Sequence, residues 1–280
     1  MQGIYHLLDV LLPLEPLRFS FMKNAFLAIL LLTPLLGLLG TMAVNQQMAF
    51  FSDALGHSAL TGIGLGIVLG LHHDLLAMLV FGIIWAVMIC RIKQTGAASA
   101  DTVISVFSST AVAAGLLILS RGGSFAKYSS LLIGDVLAIT PGELGWLLTA
   151  LVAGVALWAV LYNRLLLTSI NPSLARSRGL RANRVEIAFV VLVAIAVMLA
   201  IRWVGVMLIN ALLILPAAAG RNVARNSRQH ALWSVLIALF CGMAGLFSAY
   251  AWDTSAGAAI VLYAAAAYGL TVLLRAFCRK

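Results

Sequence analysis

Asp53 and His57 are the two residues of this chain whose types and spacing best suit the chemistry of a metal ion. They lie four residues apart within an otherwise almost wholly apolar run. Positions i and i+4 share one face of a helix, so the carboxylate and the imidazole can point at one shared spot. A carboxylate oxygen with an imidazole nitrogen suits zinc and, less selectively, manganese or iron. We expect the pair to contact a divalent metal ion; the alternative is that both side chains only form hydrogen bonds inside a helix bundle.

The composition places this pair in a membrane protein. Of the 280 residues, 63% are hydrophobic and only 10% are charged, whereas soluble domains carry about a quarter charged residues. Ionisable side chains at membrane depth are costly and usually mark a transport path or a pair. The net charge of +9 is spread between the apolar runs, which favours a positive-inside bias over nucleic-acid binding.

Apolar segments near the spanning length of ~20 residues follow one another along the chain. We therefore predict an all-α, polytopic transmembrane helical bundle of about eight or nine spans. Residues 1–20 should form an N-terminal interfacial segment, because prolines and charges interrupt the apolar residues there, and 21–280 should form the transmembrane domain. The predicted spans are 24–44, 48–70, 74–91, 102–120, 143–163, 185–201, 204–219, 230–250 and 256–276.

Lysine and arginine predict how the spans are oriented. When the ends of alternate spans are grouped, one side collects 13 of the 18 basic residues. The richer side should be cytoplasmic, which places the C-terminus in the cytoplasm. The second span then runs outward from Met48, and Asp53 lies ~8 Å and His57 ~14 Å into it.

A short helix is predicted in the longest polar interruption, between the fifth and sixth spans. Asn171 is a good N-cap, Pro172 fits the first helical turn, and Gly179 is a natural C-terminal stop. A capped, basic helix near 171–180 suggests a docking element for a cytoplasmic partner; the alternative is an ordinary basic loop.

Other polar residues carry helix-start signals instead of chemistry. Thr140 and Glu143 have the spacing of a capping box, and the stretch Asp253-Thr254-Ser255 is expected to cap the last span. The chain contains no G-x-x-x-x-G-K-[ST] sequence, so it has no P-loop with which to bind ATP. We expect no enzymatic activity and no bound cofactor in this chain.

The run FSDALGHSALTG at 51–62 resembles the signature region of the membrane permeases of metal-uptake ABC transporters, the zinc, manganese and iron family. The resemblance extends over roughly residues 20–275, and the wording around His57 is closest to zinc-type members. Its further landmarks are ADT at 100–102, LIGDVL at 132–137, NPSLA at 171–175, VGVMLINALLILPAA at 204–218 and YAWDTSAGAAIV at 250–261.

This resemblance implies a homodimeric permease in the cytoplasmic membrane that imports a divalent metal. It implies two kinds of partner: a cytoplasmic ABC ATPase subunit and an extracytoplasmic metal-binding protein. By the same resemblance, Asp53 and His57 should fall on the metal path. The ATPase-coupling helix would contain Asn171, Pro172, Leu174, Ala175 and Gly179.

Two other functions fit the residues without the resemblance. A secondary transporter or channel would need no ATPase and would use Asp53 and His57 as a proton or metal relay. A membrane scaffold without transport activity would tolerate Asn and Gln in their places.

Overall fold

The computed structural model describes Tyr5 and residues 15–71, 73–121, 134 and 136–278. Within these residues the chain is all-α, as predicted, with ten α-helices and two short 3-10 helices at Glu15–Arg18 and Val136–Ala138. The α-helices are α1 (Ser20–Asn45), α2 (Phe51–Val68), α3 (Asp74–Thr95), α4 (Ala100–Arg121), α5 (Pro141–Ile170), α6 (Pro172–Ser177), α7 (Ala182–Val204), α8 (Val206–Val223), α9 (Ser227–Trp252) and α10 (Ala256–Cys278).

Eight of these helices are long and apolar enough to cross a membrane, judged by length and composition within the described residues. They are all the α-helices except α2 and the six-residue α6. Helix α2 has 18 residues and corresponds to the predicted second span. It carries Asp53, His57 and two serines within its 18 residues. The predicted bundle of about eight or nine spans is therefore confirmed.

Most of the helices run beyond the apolar windows from which they were predicted, whereas α2 is shorter than its predicted span of 48–70. The fifth span was expected at 143–163, but α5 covers Pro141–Ile170. It begins at a Thr140 cap and continues through Asn163 and Arg164, since backbone hydrogen bonding does not stop where a hydrophobic run stops.

Two predicted segments lie partly outside the described residues. These are the interfacial segment, at residues 1–4 and 6–14, and the landmark at 132–137, at residues 132, 133 and 135.

The predicted cap at Thr140 is confirmed, whereas the one at 253–255 is corrected at Asp253. The Glu143 carboxylate accepts hydrogen bonds from the backbone N and the hydroxyl of Thr140, at 2.9 and 2.8 Å. Within the predicted cap at 253–255, Asp253 itself ends α9, in a left-handed backbone conformation with φ 52°, whereas Ser255 directly precedes α10 and its carbonyl accepts from Ala259 N. Aspartate is among the few residue types that adopt this conformation readily, because its short polar side chain can form local hydrogen bonds.

The helices pack in two groups. Helices α2, α3, α4 and α7 form one, in which α2 packs against both α3 and α4 and α3 packs against α7. Helices α1, α8, α9 and α10 form the other. Helix α5 packs against both groups, through α1 and α7, and a smaller contact joins α2 to α8. Helix α2 therefore lies where the two groups meet.

Polar contacts join the ends of α1, α3, α5 and α7 that the topology places on one side. Lys93 Nζ forms an ion pair with Glu186 Oε1 at 2.7 Å and also donates to the Gln46 backbone carbonyl at 3.3 Å. Gln94 Nε2 donates to the other oxygen of Glu186 at 3.0 Å. The Gln46 amide in turn donates to the Leu165 carbonyl at 3.4 Å. This is the side that the basic residues predict to be cytoplasmic.

The backbones of α1 and α8 are in direct contact at Gly40. A Cβ built there would lie 1.8 Å from the backbone oxygen of Leu213, a distance at which neither helix could stay in place. Small residues let transmembrane helices approach closely and gain van der Waals contact. Glycine at this position is thus required by the packing of the second group.

We predict that Gly40→Ala destabilises the protein by about 1–3 kcal/mol, because the added methyl group forces α1 and α8 apart. The measurement is the thermal unfolding midpoint of the purified protein in detergent. Gly145→Ala is the matched control, since a Cβ at Gly145 meets nothing within 4 Å. Equal midpoints for the two variants would contradict the proposed contact.

Candidate metal site

Helix α2 is buried on all sides except one narrow stripe. Between Phe51 and Gly66 every residue is buried apart from Asp53, His57 and Leu65. These three are partly exposed and follow one another at intervals of four and eight residues, so they lie on one face of the helix. The predicted pair therefore faces the only opening along this part of α2.

The structure brings Asp53 and His57 together as the i, i+4 spacing predicts. His57 Nε2 lies 3.5 Å from Asp53 Oδ1. The His57 side chain is 29% exposed and the Asp53 side chain 43%, so the pair can be reached from outside the bundle. A carboxylate and an imidazole presented in this way can both offer a lone pair to the same cation.

Two further residues, which the sequence did not single out, hydrogen-bond to Asp53. Ser108 Oγ on α4 donates to Asp53 Oδ2 at 3.3 Å. Asn210 Nδ2 on α8 donates to Asp53 Oδ1 at 3.0 Å. Each carboxylate oxygen thus accepts a hydrogen bond from a different helix. The one available signal was Asn210 itself, a lone carboxamide in the apolar run from Val206 to Ala219.

The opening beside the pair is bordered by α4 and α8. On α4, Ser105 and Ser109 are exposed on the same side as Ser108. On α8, the residues between Val206 and Gly220 that are not fully buried lie on one side of the helix: Met207, Asn210, Ile214, Leu215 and Ala218. The polar stretch of α4 and this mostly apolar stripe of α8 flank the Asp53–His57 pair.

The donor set of one chain is small. Within the described residues no group of three or more His, Cys, Asp or Glu side chains could hold a metal ion. Asp53 and His57 supply two conventional ligands, whereas resident zinc sites use three or four protein ligands. The geometry suits a transient contact with a passing ion better than a permanent metal centre.

The predicted short helix is present as α6, and its caps have the expected geometry. Asn171 Oδ1 accepts hydrogen bonds from the backbone N of Ser173 and Leu174, at 3.1 and 3.0 Å. Gly179 has φ 76° and ends the turn. Ala175 is fully buried, whereas the Leu174 side chain is exposed. The helix is therefore anchored on one side and free on the other.

Comparison with known proteins gives consistent matches along almost the whole chain. Residues 18–275 match the ABC 3 transport family. The chain is 27% identical to the manganese import system permease protein ScaB of Streptococcus gordonii, covering 88% of each chain. It is also 27% identical to the high-affinity zinc uptake system membrane protein ZnuB of Haemophilus influenzae, covering 92% of this chain and 98% of ZnuB.

A solved structure has the same fold. A chain of PsaBC from Streptococcus pneumoniae, solved in complex with Fab, superposes with a TM-score of 0.79 at 26% identity, covering 97% of this chain and 95% of that one. The resemblance in the sequence motifs is thereby confirmed, and this chain belongs to the ABC 3 transport family.

Proposed function

We propose that the chain is the membrane-spanning permease subunit of an ATP-driven importer that translocates a divalent metal ion across the cytoplasmic membrane. The observation that carries this proposal is the Asp53–His57 pair on the only open stripe of a buried helix. The sequence around His57 favours zinc, with manganese and iron as the alternatives. Relatives named for manganese and for zinc import support metal transport equally.

The chemistry of the pair suits passage of an ion. A transported ion must bind well enough to enter and weakly enough to leave. One carboxylate and one imidazole can replace part of its hydration shell without enclosing it. The hydrogen bonds from Ser108 and Asn210 hold the carboxylate in position, and both side chains of the pair remain partly exposed.

A second copy of the chain would complete the path. The open stripe of α2 and its borders on α4 and α8 face away from the rest of the bundle. A homodimer with these stripes facing each other would enclose the polar side chains, which a lipid-facing position would leave unsatisfied. It would also bring a second Asp53–His57 pair toward the ion.

The cytoplasmic partner that we propose is an ATPase, because the chain has no P-loop of its own. Helix α6 offers the contact. Ile170, just before it, and Leu174, within it, expose 74% and 42% of their surface. An open cavity of about 490 Å³ lies against Ile170 and is lined by the last turns of α5 and by Arg178 and Leu180. Exposed apolar side chains in a basic, aqueous region are typical of a protein interface.

The orientation predicted from the basic residues also gives the sides of the membrane on which the second partner and the C-terminus would lie. The C-terminus and α6 lie on the basic, cytoplasmic side, and an extracytoplasmic metal-binding protein delivers the ion to the opposite side. The metal is the transported substrate, and the chain itself catalyses no reaction.

We predict that Asp53→Ala and His57→Ala each reduce metal accumulation to background while the protein remains in the membrane. Each variant removes one of the two ligands, so the ion loses its contact at mid-path. The measurement is uptake of Zn²⁺ and Mn²⁺ into vesicles that contain the complete transporter with ATP inside.

Asp253→Asn is the control for the loss of a carboxylate. Asp253 ends α9 in a left-handed conformation that asparagine also adopts readily, so this variant should fold and transport normally. Normal uptake by both Asp53→Ala and His57→Ala would rule out the proposed metal path.

Leu174→Asp should prevent the ATPase from co-purifying with the permease. The side chain is exposed on α6, so a carboxylate there disturbs no packing of the permease but opposes burial in an apolar interface. The measurement is the amount of ATPase retained by the tagged permease.

Ser177→Ala is the matched control on the same helix, because the Ser177 hydroxyl donates to the Leu174 carbonyl of its own helix. If the Leu174→Asp protein retains as much ATPase as the Ser177→Ala protein, the coupling role of α6 is wrong.

A further inference from the structure

Asn210 is the one polar side chain between Val206 and Ala219 of α8. A carboxamide is costly to bury among apolar side chains unless its hydrogen-bonding groups are satisfied. Only one of the two polar atoms of the Asn210 carboxamide has a hydrogen-bond partner within the described residues. Its Nδ2 donates to Asp53 Oδ1, whereas its Oδ1 is buried and has no hydrogen-bond partner within the described residues.

Asn210 donates to the Asp53 oxygen that lies nearest to His57. Asp53 Oδ1 is the atom that lies 3.5 Å from His57 Nε2, so it is the carboxylate oxygen on the side of the imidazole. Asn210 Nδ2 reaches the same atom at 3.0 Å. A cation held between Asp53 and His57 would approach this oxygen and would compete there with the amide N–H group.

We infer that Asn210 tunes the affinity and the metal preference of the Asp53–His57 pair, an inference that rests on the proposed function. Without an ion, the amide N–H group donates to Asp53 and keeps the carboxylate turned toward His57. When a dication takes over the lone pair of Asp53, the carboxamide can rotate and present its unpartnered oxygen to the ion. The residue therefore acts first as a positioning group and then as an oxygen donor.

The chemistry of an amide oxygen gives the direction of the preference. Carboxylate and carbonyl oxygens suit Mn²⁺, whereas imidazole suits Zn²⁺ among other metals. Adding the Asn210 oxygen to one carboxylate and one imidazole makes the donor set richer in oxygen. Asn210 should therefore favour Mn²⁺ relative to what Asp53 and His57 alone would accept.

The alternative is that Asn210 only joins α8 to α2, as polar side chains in transmembrane helices often do. A purely structural bond predicts that its loss lowers the amount of active transporter and hence the maximal uptake rate of every metal by the same factor. Our inference predicts instead a change in KM and in the ratio between metals, which a structural role would not produce.

The test compares Asn210→Leu with Asn210→Asp in vesicles that contain the complete transporter. Leucine has no polar atom, so the KM for Mn²⁺ should rise about 10–100-fold, which is the usual effect of removing a group that orients a metal ligand. The KM for Zn²⁺ should rise less. Aspartate keeps an oxygen, so it should restore the Mn²⁺/Zn²⁺ preference, while its charge holds the ion longer and lowers the maximal rate.

Asn222→Leu is the matched control on the same helix. Asn222 bonds to Thr271 and Arg275 of α10 and lies twelve residues beyond Asn210, about 18 Å along the helix. Its loss should leave both KM values unchanged. If Asn210→Leu cannot be purified, Asn210→Ser provides the same comparison, because its hydroxyl is too short to reach Asp53.

The inference is overturned if Asn210→Leu keeps the wild-type KM for both metals, or if it lowers both maximal rates equally without changing the ratio. The Asp53→Ala variant separates this outcome from a failure of the proposed function. If Asp53→Ala abolishes uptake and Asn210→Leu is silent, only the role of Asn210 is wrong; if Asp53→Ala transports normally, the metal path itself is wrong.

Discussion

A charged side chain at membrane depth must find its partners within the protein. This requirement determines the arrangement of helices around Asp53. The hydrocarbon core of a bilayer offers a carboxylate no hydrogen-bond partner, so the protein must supply the partners. Asp53 meets this requirement with three helices: His57 lies on its own helix, Ser108 donates from α4 and Asn210 donates from α8. The site therefore depends on how α2, α4 and α8 are packed, and not on α2 alone.

The fold could be predicted largely from the sequence because its signals are local. Hydropathy identifies each span, and cap residues such as Asn171 and Glu143 identify helix ends from neighbours three residues away. The i, i+4 geometry of Asp53 and His57 is local in the same sense. Asp253 shows where this fails: the residue can serve the helix before it or the helix after it, and the backbone conformation decides between them.

The rest of the site could not be predicted, since its contacts are distant in sequence. Ser108 lies 55 residues from Asp53 and Asn210 lies 157 residues from it. Their proximity results from the packing of α4 and α8 against α2, which no local pattern encodes. The identity of the transported metal is harder still to predict, because it depends on the angles and distances of a few oxygen and nitrogen atoms.

The side-chain-free contact at Gly40 has a mechanical consequence. Because a backbone carbonyl of α8 lies where a Cβ of α1 would be, no compressible layer of side chains separates the two helices. In the proposed transport cycle, α1 and α8 would therefore move together at this contact. A movement that separates α8 from α2 would carry α1 with it and would break the hydrogen bond between Asn210 and Asp53.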